Sequence, residues 1–131
     1  MGNYSDLAVW KRAYQLTLAI YQATRRFPSD ERYGLTSQVR RASSSVVFNI
    51  AEGVSRRTDG DQAHFLCMAR ASANEVCCEL MLARDLGYLD VTALAPLYSE
   101  SEQISRMLSG WLRTQARRNV GRKSSRLATR D

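Results

Sequence analysis

The sequence predicts an all-α protein, an antiparallel up-down four-helix bundle, on three observations. Four segments place apolar residues at three- and four-residue spacing, and none alternates with period two. Only 7 Gly and 2 Pro interrupt 131 residues, too few for a loop-rich β architecture. The linkers between periodic segments are short, so neighbouring helices are expected to run antiparallel.

The first helix is expected to begin at Ser5 or Asp6, either a suitable N-cap, with Leu7, Trp10, Tyr14, Thr17, Tyr21 and Thr24 facing the core. It stops at Phe27-Pro28, because the residue before proline is pushed out of the helical region. The second starts near Leu35 and turns Leu35, Val39, Ala42, Val46, Ile50 and Gly53 inward. Thr58 and Asp61 then have capping-box spacing, with Asp in place of Glu. The third helix packs through Phe65, Ala69, Ser72, Val76, Leu80 and Ala83, and Gly87 suits its left-handed cap. The fourth starts near Thr92, tolerates Pro96 close to its first turn, and carries Leu94, Leu97, Ser101, Ile104, Leu108 and Trp111. Residues 1–112 are expected to form the bundle, and 113–131 the end of the last helix and a basic, disordered tail.

Charge is distributed unevenly. Residues 1–112 hold 12 basic and 12 acidic side chains, whereas 113–131 hold seven basic residues against Asp131 alone. The whole formal excess of +6 sits at the C-terminal end. Such an arm contacts phosphates without needing a fold, or simply solubilises the chain. No stretch reaches the roughly 18 apolar residues of a membrane span, no secretory signal is visible, and Asp6 stands where a myristoylation motif needs Ser or Thr. A cytoplasmic location is expected, without a membrane partner.

The second helix has more apolar surface than one bundle buries. Beyond its core stripe lie Ser44, Val47, Phe48, Asn49, Ala51 and Glu52, which form the expected oligomer interface, with Asn49 placed to bond across it. The third helix repeats the pattern, because Cys67, Cys78, Met81 and Leu82 face away from its stripe. A second copy of the chain is the simplest cover.

Arginine pairs bracket this helix. Arg41 and Arg56 are expected to form rim ion pairs with Glu52, while Arg40 and Arg57 have no local acid and are better phosphate candidates. Arg40, Arg41, Arg56 and Arg57, with Arg117, Arg118, Arg122, Lys123 and Arg126 of the tail, form the expected nucleic-acid-binding set.

Catalysis is not indicated. The only histidine, His64, has one cysteine and one acid at helical spacing, half of what a di-iron bundle needs. Cys67, Cys77 and Cys78 lack metal-site spacing, and neither a P-loop nor a dinucleotide fingerprint is present. No catalytic residue, cofactor or metal is expected.

LAVWKRA (7–13), Phe27-Pro28, GLTSQVRRA (34–42), NIAEG (49–53), ARASANE (69–75) and LGYL (86–89) resemble the bacterial four-helix-bundle proteins called ribosomal RNA intervening-sequence proteins. The resemblance covers about residues 4–112 and implies a homopentameric ring with a basic surface. It places Arg40 and Arg41 at the family's Arg-Arg position, Asn49, Glu52 and Gly53 in its Asn-Ile-Ala-Glu-Gly signature, and Arg56 at the basic position after it. Where members commonly have proline, this chain has Val47, and the basic tail lies outside the shared pattern. A more distant likeness is to the accessory protein of diversity-generating retroelements. The expected function is a non-enzymatic homo-oligomer that associates with structured RNA or a ribonucleoprotein. The alternative is a protein–protein scaffold that docks a partner enzyme such as a reverse transcriptase.

Overall fold

The computed structural model describes residues 3–129. Among them are four long helices and no strand: α1 Ala8–Thr24, α2 Leu35–Val54, α3 Asp59–Asp85 and α4 Val91–Ala128. Short 3₁₀ turns precede α1 at Tyr4–Asp6 and α2 at Ser29–Glu31. Each helix packs on the next in sequence, and α1 packs on α4, closing a four-helix bundle. Ile20, Ile50, Leu66, Ile104 and Leu108 are fully buried where the four meet. Among the described residues, no helix is long and apolar enough to cross a membrane.

Side-chain bonds fix the helix pairings. Thr17 donates to the Ser43 carbonyl at 3.1 Å, and Arg40 Nε donates to Thr24 Oγ1 at 2.8 Å. Ser72 donates to Ser45 Oγ at 2.9 Å, and the buried Ser101 hydroxyl donates to the Ala73 carbonyl at 2.8 Å. Local signals set several ends. Thr58 Oγ1 accepts the Asp61 N–H at 3.1 Å, and Asp90 Oδ1 accepts the Ala93 N–H at 2.7 Å. Gly87 follows α3 with φ +82°, a left-handed conformation that side chains rarely tolerate.

All six expected core positions of α2 are buried, as are five of the six of α4, with Trp111 half-buried. The phase of α1 differs. Its buried residues are Val9, Ala13, Leu16, Ile20 and Thr24, while Tyr14 and Tyr21 are exposed. Two stripes on this helix share the same spacing, and the bundle buries the aliphatic one. The aromatic stripe lies at the rim, where Trp10 stacks on Tyr14 with centroids 5.1 Å apart. Neither Ser5 nor Asp6 caps α1; both belong to the 3₁₀ turn, and Leu7 holds the cap position without a side-chain bond.

The C-terminal expectation also changes. Gln115 is buried and donates to Gln62 of α3, so the bundle extends past residue 112. Residues 113–128 continue α4 as helix rather than forming a disordered tail. The segment has no proline, its five arginines are good helix formers, and its basic residues lie toward the C-terminus, where the helix dipole favours them.

Candidate nucleic-acid interface

The basic residues singled out in the sequence fall into two groups. Arg40 and Arg41 lie in the first half of α2. Arg56 and Arg57 lie in the connection after it, at the end of the bundle where Arg122 Nη1 of α4 comes to 3.5 Å from Asp59 Oδ2. Arg117, Arg118, Arg122, Lys123 and Arg126 are all exposed on the α4 overhang. About 20 Å of helix separates Arg41 from the end of α2 at Val54, just before Arg56, at a rise of 1.5 Å per residue.

The first group gains two members that the sequence did not indicate. The 3₁₀ turn at Ser29–Glu31 brings Arg32 and Tyr33 back toward α2, beside Tyr21 of α1. Arg32, Arg40 and Arg41 then line one surface depression of about 500 Å³ with Tyr21, Tyr33, and the hydroxyl residues Thr36, Ser37 and Ser44. No acidic residue lines it. The α2 helix starts at this depression without a capping side-chain bond, with the Glu31 carboxylate close to its N-cap residue Gly34. The usable signal in the sequence was Arg-Tyr immediately before GLTSQVRR, but joining it to Arg40 requires the path of the connection.

The arginines differ in freedom. Arg40 is tied down: besides Thr24, it donates from Nη2 to the Tyr21 carbonyl at 3.3 Å, and its guanidinium lies 4.7 Å from the Tyr21 ring centroid. Arg41 reaches only Ser37 Oγ, at 3.3 Å, and is exposed. The expected Arg41–Glu52 pair does not form; Glu52 pairs with Arg56 instead, one helical turn away. Arg56 also covers the Phe65 ring at 4.6 Å. Arg57 is exposed and makes no ion pair among the described residues.

The expected oligomer face also needs correction. Val47 is buried inside its own bundle, because it stands between Ser43 and Ile50, both buried, and α2 is covered by α1, α3 and the N-terminal turn together. Ser44, Asn49 and Ala51 are half-buried, and only Phe48 (69% exposed) and Glu52 project outward. Asn49 spends its amide nitrogen within the chain. Its Nδ2 donates to the Ser45 carbonyl at 2.8 Å and to Ser45 Oγ at 2.9 Å, which also receives Ser72 from α3. Gly53 packs closely against α3, where an added Cβ would stand 3.2 Å from Phe65 Cβ. The NIAEG stretch therefore sets how α2 meets α3. The outer face of α3 does expose apolar residues, among them Met68, Met81 and Leu82.

Among the described residues, no three His, Cys, Asp or Glu side chains converge as a metal site would need. Two charged features lie outside the arginine groups. Arg12 of α1 and Glu100 of α4 form a bidentate pair at a half-exposed site, and the guanidinium holds the Glu100 carboxyl below the usual carboxylate range. Glu79 of α3 is buried with no partner for Oε2, and burial, reinforced by neighbouring Glu75, pushes its carboxyl up to about 8.

The model of the family described as 23S rRNA-intervening sequence protein matches residues 5–110. The chain belongs to that family. The matched span holds the bundle core and the Arg32–Arg40–Arg41 depression, while the basic overhang of α4 lies beyond it. A crystal structure of a protein of unknown function from the S23 ribosomal protein family of Bacteroides thetaiotaomicron shares the intervening-sequence protein fold. It superposes with a TM-score of 0.73 at 19% identity, over 80% of this chain and 98% of that one. No curated protein matches the chain.

Proposed function

We propose that this intervening-sequence family protein is a non-enzymatic, homo-oligomeric RNA-associated protein that binds structured RNA electrostatically. The observation that carries the reading is the acid-free depression where Arg32, Arg40 and Arg41 converge. Three arginines lining one depression raise the potential of that surface, with Glu75 in the adjoining depression beside Arg41 and Glu31 at Gly34 as the nearest acids, and phosphates are the abundant polyanionic match. The family's association with 23S rRNA intervening sequences supports RNA as the partner. The descending register of the two α1–α2 bonds, and of the α2–α3 contacts Ser45–Ser72 and Gly53–Phe65, supports the up-down order, and the outward Phe48, Met68, Met81 and Leu82 support self-association. A ring, pentameric by family likeness, would repeat the depression and the overhang once per subunit and multiply weak contacts.

Binding of a labelled structured RNA at 50 and 200 mM salt tests the reading. The full chain is expected to bind with a steep salt dependence, weakened by Arg32→Glu with Arg41→Glu, and by a cut after Asn119, which spares Gln115. Absence of binding at 50 mM salt sinks the RNA reading and leaves a protein-docking scaffold as the alternative. Light scattering of the purified chain tests assembly; a monomer at micromolar concentration removes it.

A further inference from the structure

We propose that the depression takes a single-stranded segment, with an unpaired base stacked on Tyr33 and its flanking phosphates held by Arg32 and Arg41. This deepens the RNA reading above and rests on it. The fold does not use the Tyr33 ring: it is 88% exposed, the most exposed large apolar side chain among the described residues. Its neighbour Arg32 places a guanidinium 5.7 Å from the ring centroid, a cation beside an aromatic with most of the ring surface left open. Tyr21 is different, because Arg40 already covers it at 4.7 Å. The site therefore offers one open aromatic platform, one anchored cation, and two cations with freedom to follow a backbone. Aromatic platforms flanked by arginines are how proteins hold single strands without reading sequence. A duplex keeps its bases stacked on each other and presents little but phosphate and sugar to such a surface, so it would leave Tyr33 without a role. The volume of about 500 Å³ is in the range of small-ligand pockets, suited to a splayed-out nucleotide.

Fluorescence anisotropy on the full chain, with a mixed-sequence single strand and a hairpin duplex of equal length, tests this. The single strand is expected to bind more tightly than the duplex. Tyr33→Ala should weaken single-strand binding about tenfold while leaving duplex binding and the salt slope unchanged, and Tyr33→Phe should retain it. Arg41→Ala should instead flatten the salt dependence of single-strand binding by about 0.7 in slope, the loss of one phosphate contact. Ribose and deoxyribose strands should bind alike, because stacking and phosphate contacts ignore the 2′-hydroxyl; loss of binding by the deoxyribose strand overturns the proposal. If Tyr33→Ala leaves single-strand binding unchanged while Arg41→Ala weakens single strand and duplex equally, the stacking proposal falls and the electrostatic RNA reading stands. If no nucleic acid binds at 50 mM salt, both fall.

Discussion

Arg12 on α1 and Glu100 on α4 meet through two hydrogen bonds, Nε to Oε1 at 2.6 Å and Nη2 to Oε2 at 2.9 Å. The pair joins the first and last helices of the bundle, elements far apart in sequence. Solvent reaches both side chains, so its worth is on the order of 1 kcal/mol rather than that of a buried pair. The Glu100 carboxyl is held below its ordinary value, so the stabilisation is complete above the unfolded carboxylate pKa and disappears as pH falls through the lowered one. A double-mutant cycle with Arg12→Ala and Glu100→Gln, by urea unfolding at pH 7 and at successively lower pH, should show coupling at pH 7 that shrinks as the carboxyl is protonated.

Glu79 acts in the opposite direction. Its folded carboxyl, raised to about 8, keeps its proton where the unfolded chain has already lost it. The fold is then most favoured below about pH 4.5, and this contribution is lost as pH rises through about 8. Glu79→Gln keeps the shape and removes the titration, so the variant should gain on the order of 1–2 kcal/mol over the parent at pH 8 and little at pH 5. Thermal melts across that interval provide the check; parallel pH profiles for both proteins would refute it.

The α2–α3 crossing makes Gly53 sensitive to side-chain size. A valine there must push Phe65 and the α3 backbone near Gln62 away, at a cost of about 1–3 kcal/mol. Gly110 on α4 is the control, since a Cβ there meets only Arg113 Nη2 at 3.8 Å. Gly110→Ala should stabilise by about 0.5–1 kcal/mol through helix propensity. Urea midpoints that move the same way for both variants would show that the crossing is not tight.

The three thiols should separate kinetically. Cys67 and Cys78 are exposed, whereas Cys77 is buried and burial pushes its thiol above the ordinary value. With the folded chain diluted to monomers, iodoacetamide should add two groups quickly, with Cys77 modified only after unfolding. Mass spectrometry showing three equally fast additions would contradict this packing.

The legible parts of the sequence were those where one apolar pattern had no rival. On α2, aliphatic residues at the right spacing defined the core. On α1, tyrosines offered a second stripe of equal period, and spacing alone does not rank a ring with a hydroxyl against Val9, Leu16 and Ile20. Val47 was misplaced because a wheel treats the core as one stripe, while three neighbouring elements cover α2 over a wider arc. The end of the bundle was set two or three residues early, since Gln115 looks solvent-facing until Gln62 is found opposite. At the candidate site, Arg40 and Arg41 were visible as a pair, but Arg32 and Tyr33 join them only through the fold of the connection before α2. Their chemistry was readable and their proximity was not.

The NIAEG stretch governs a helix contact through Asn49 and Gly53. Relatives that carry it share scaffolding, and nothing obliges them to share a ligand. Sorting such proteins by what they bind should instead compare the residues equivalent to 32, 33 and 41.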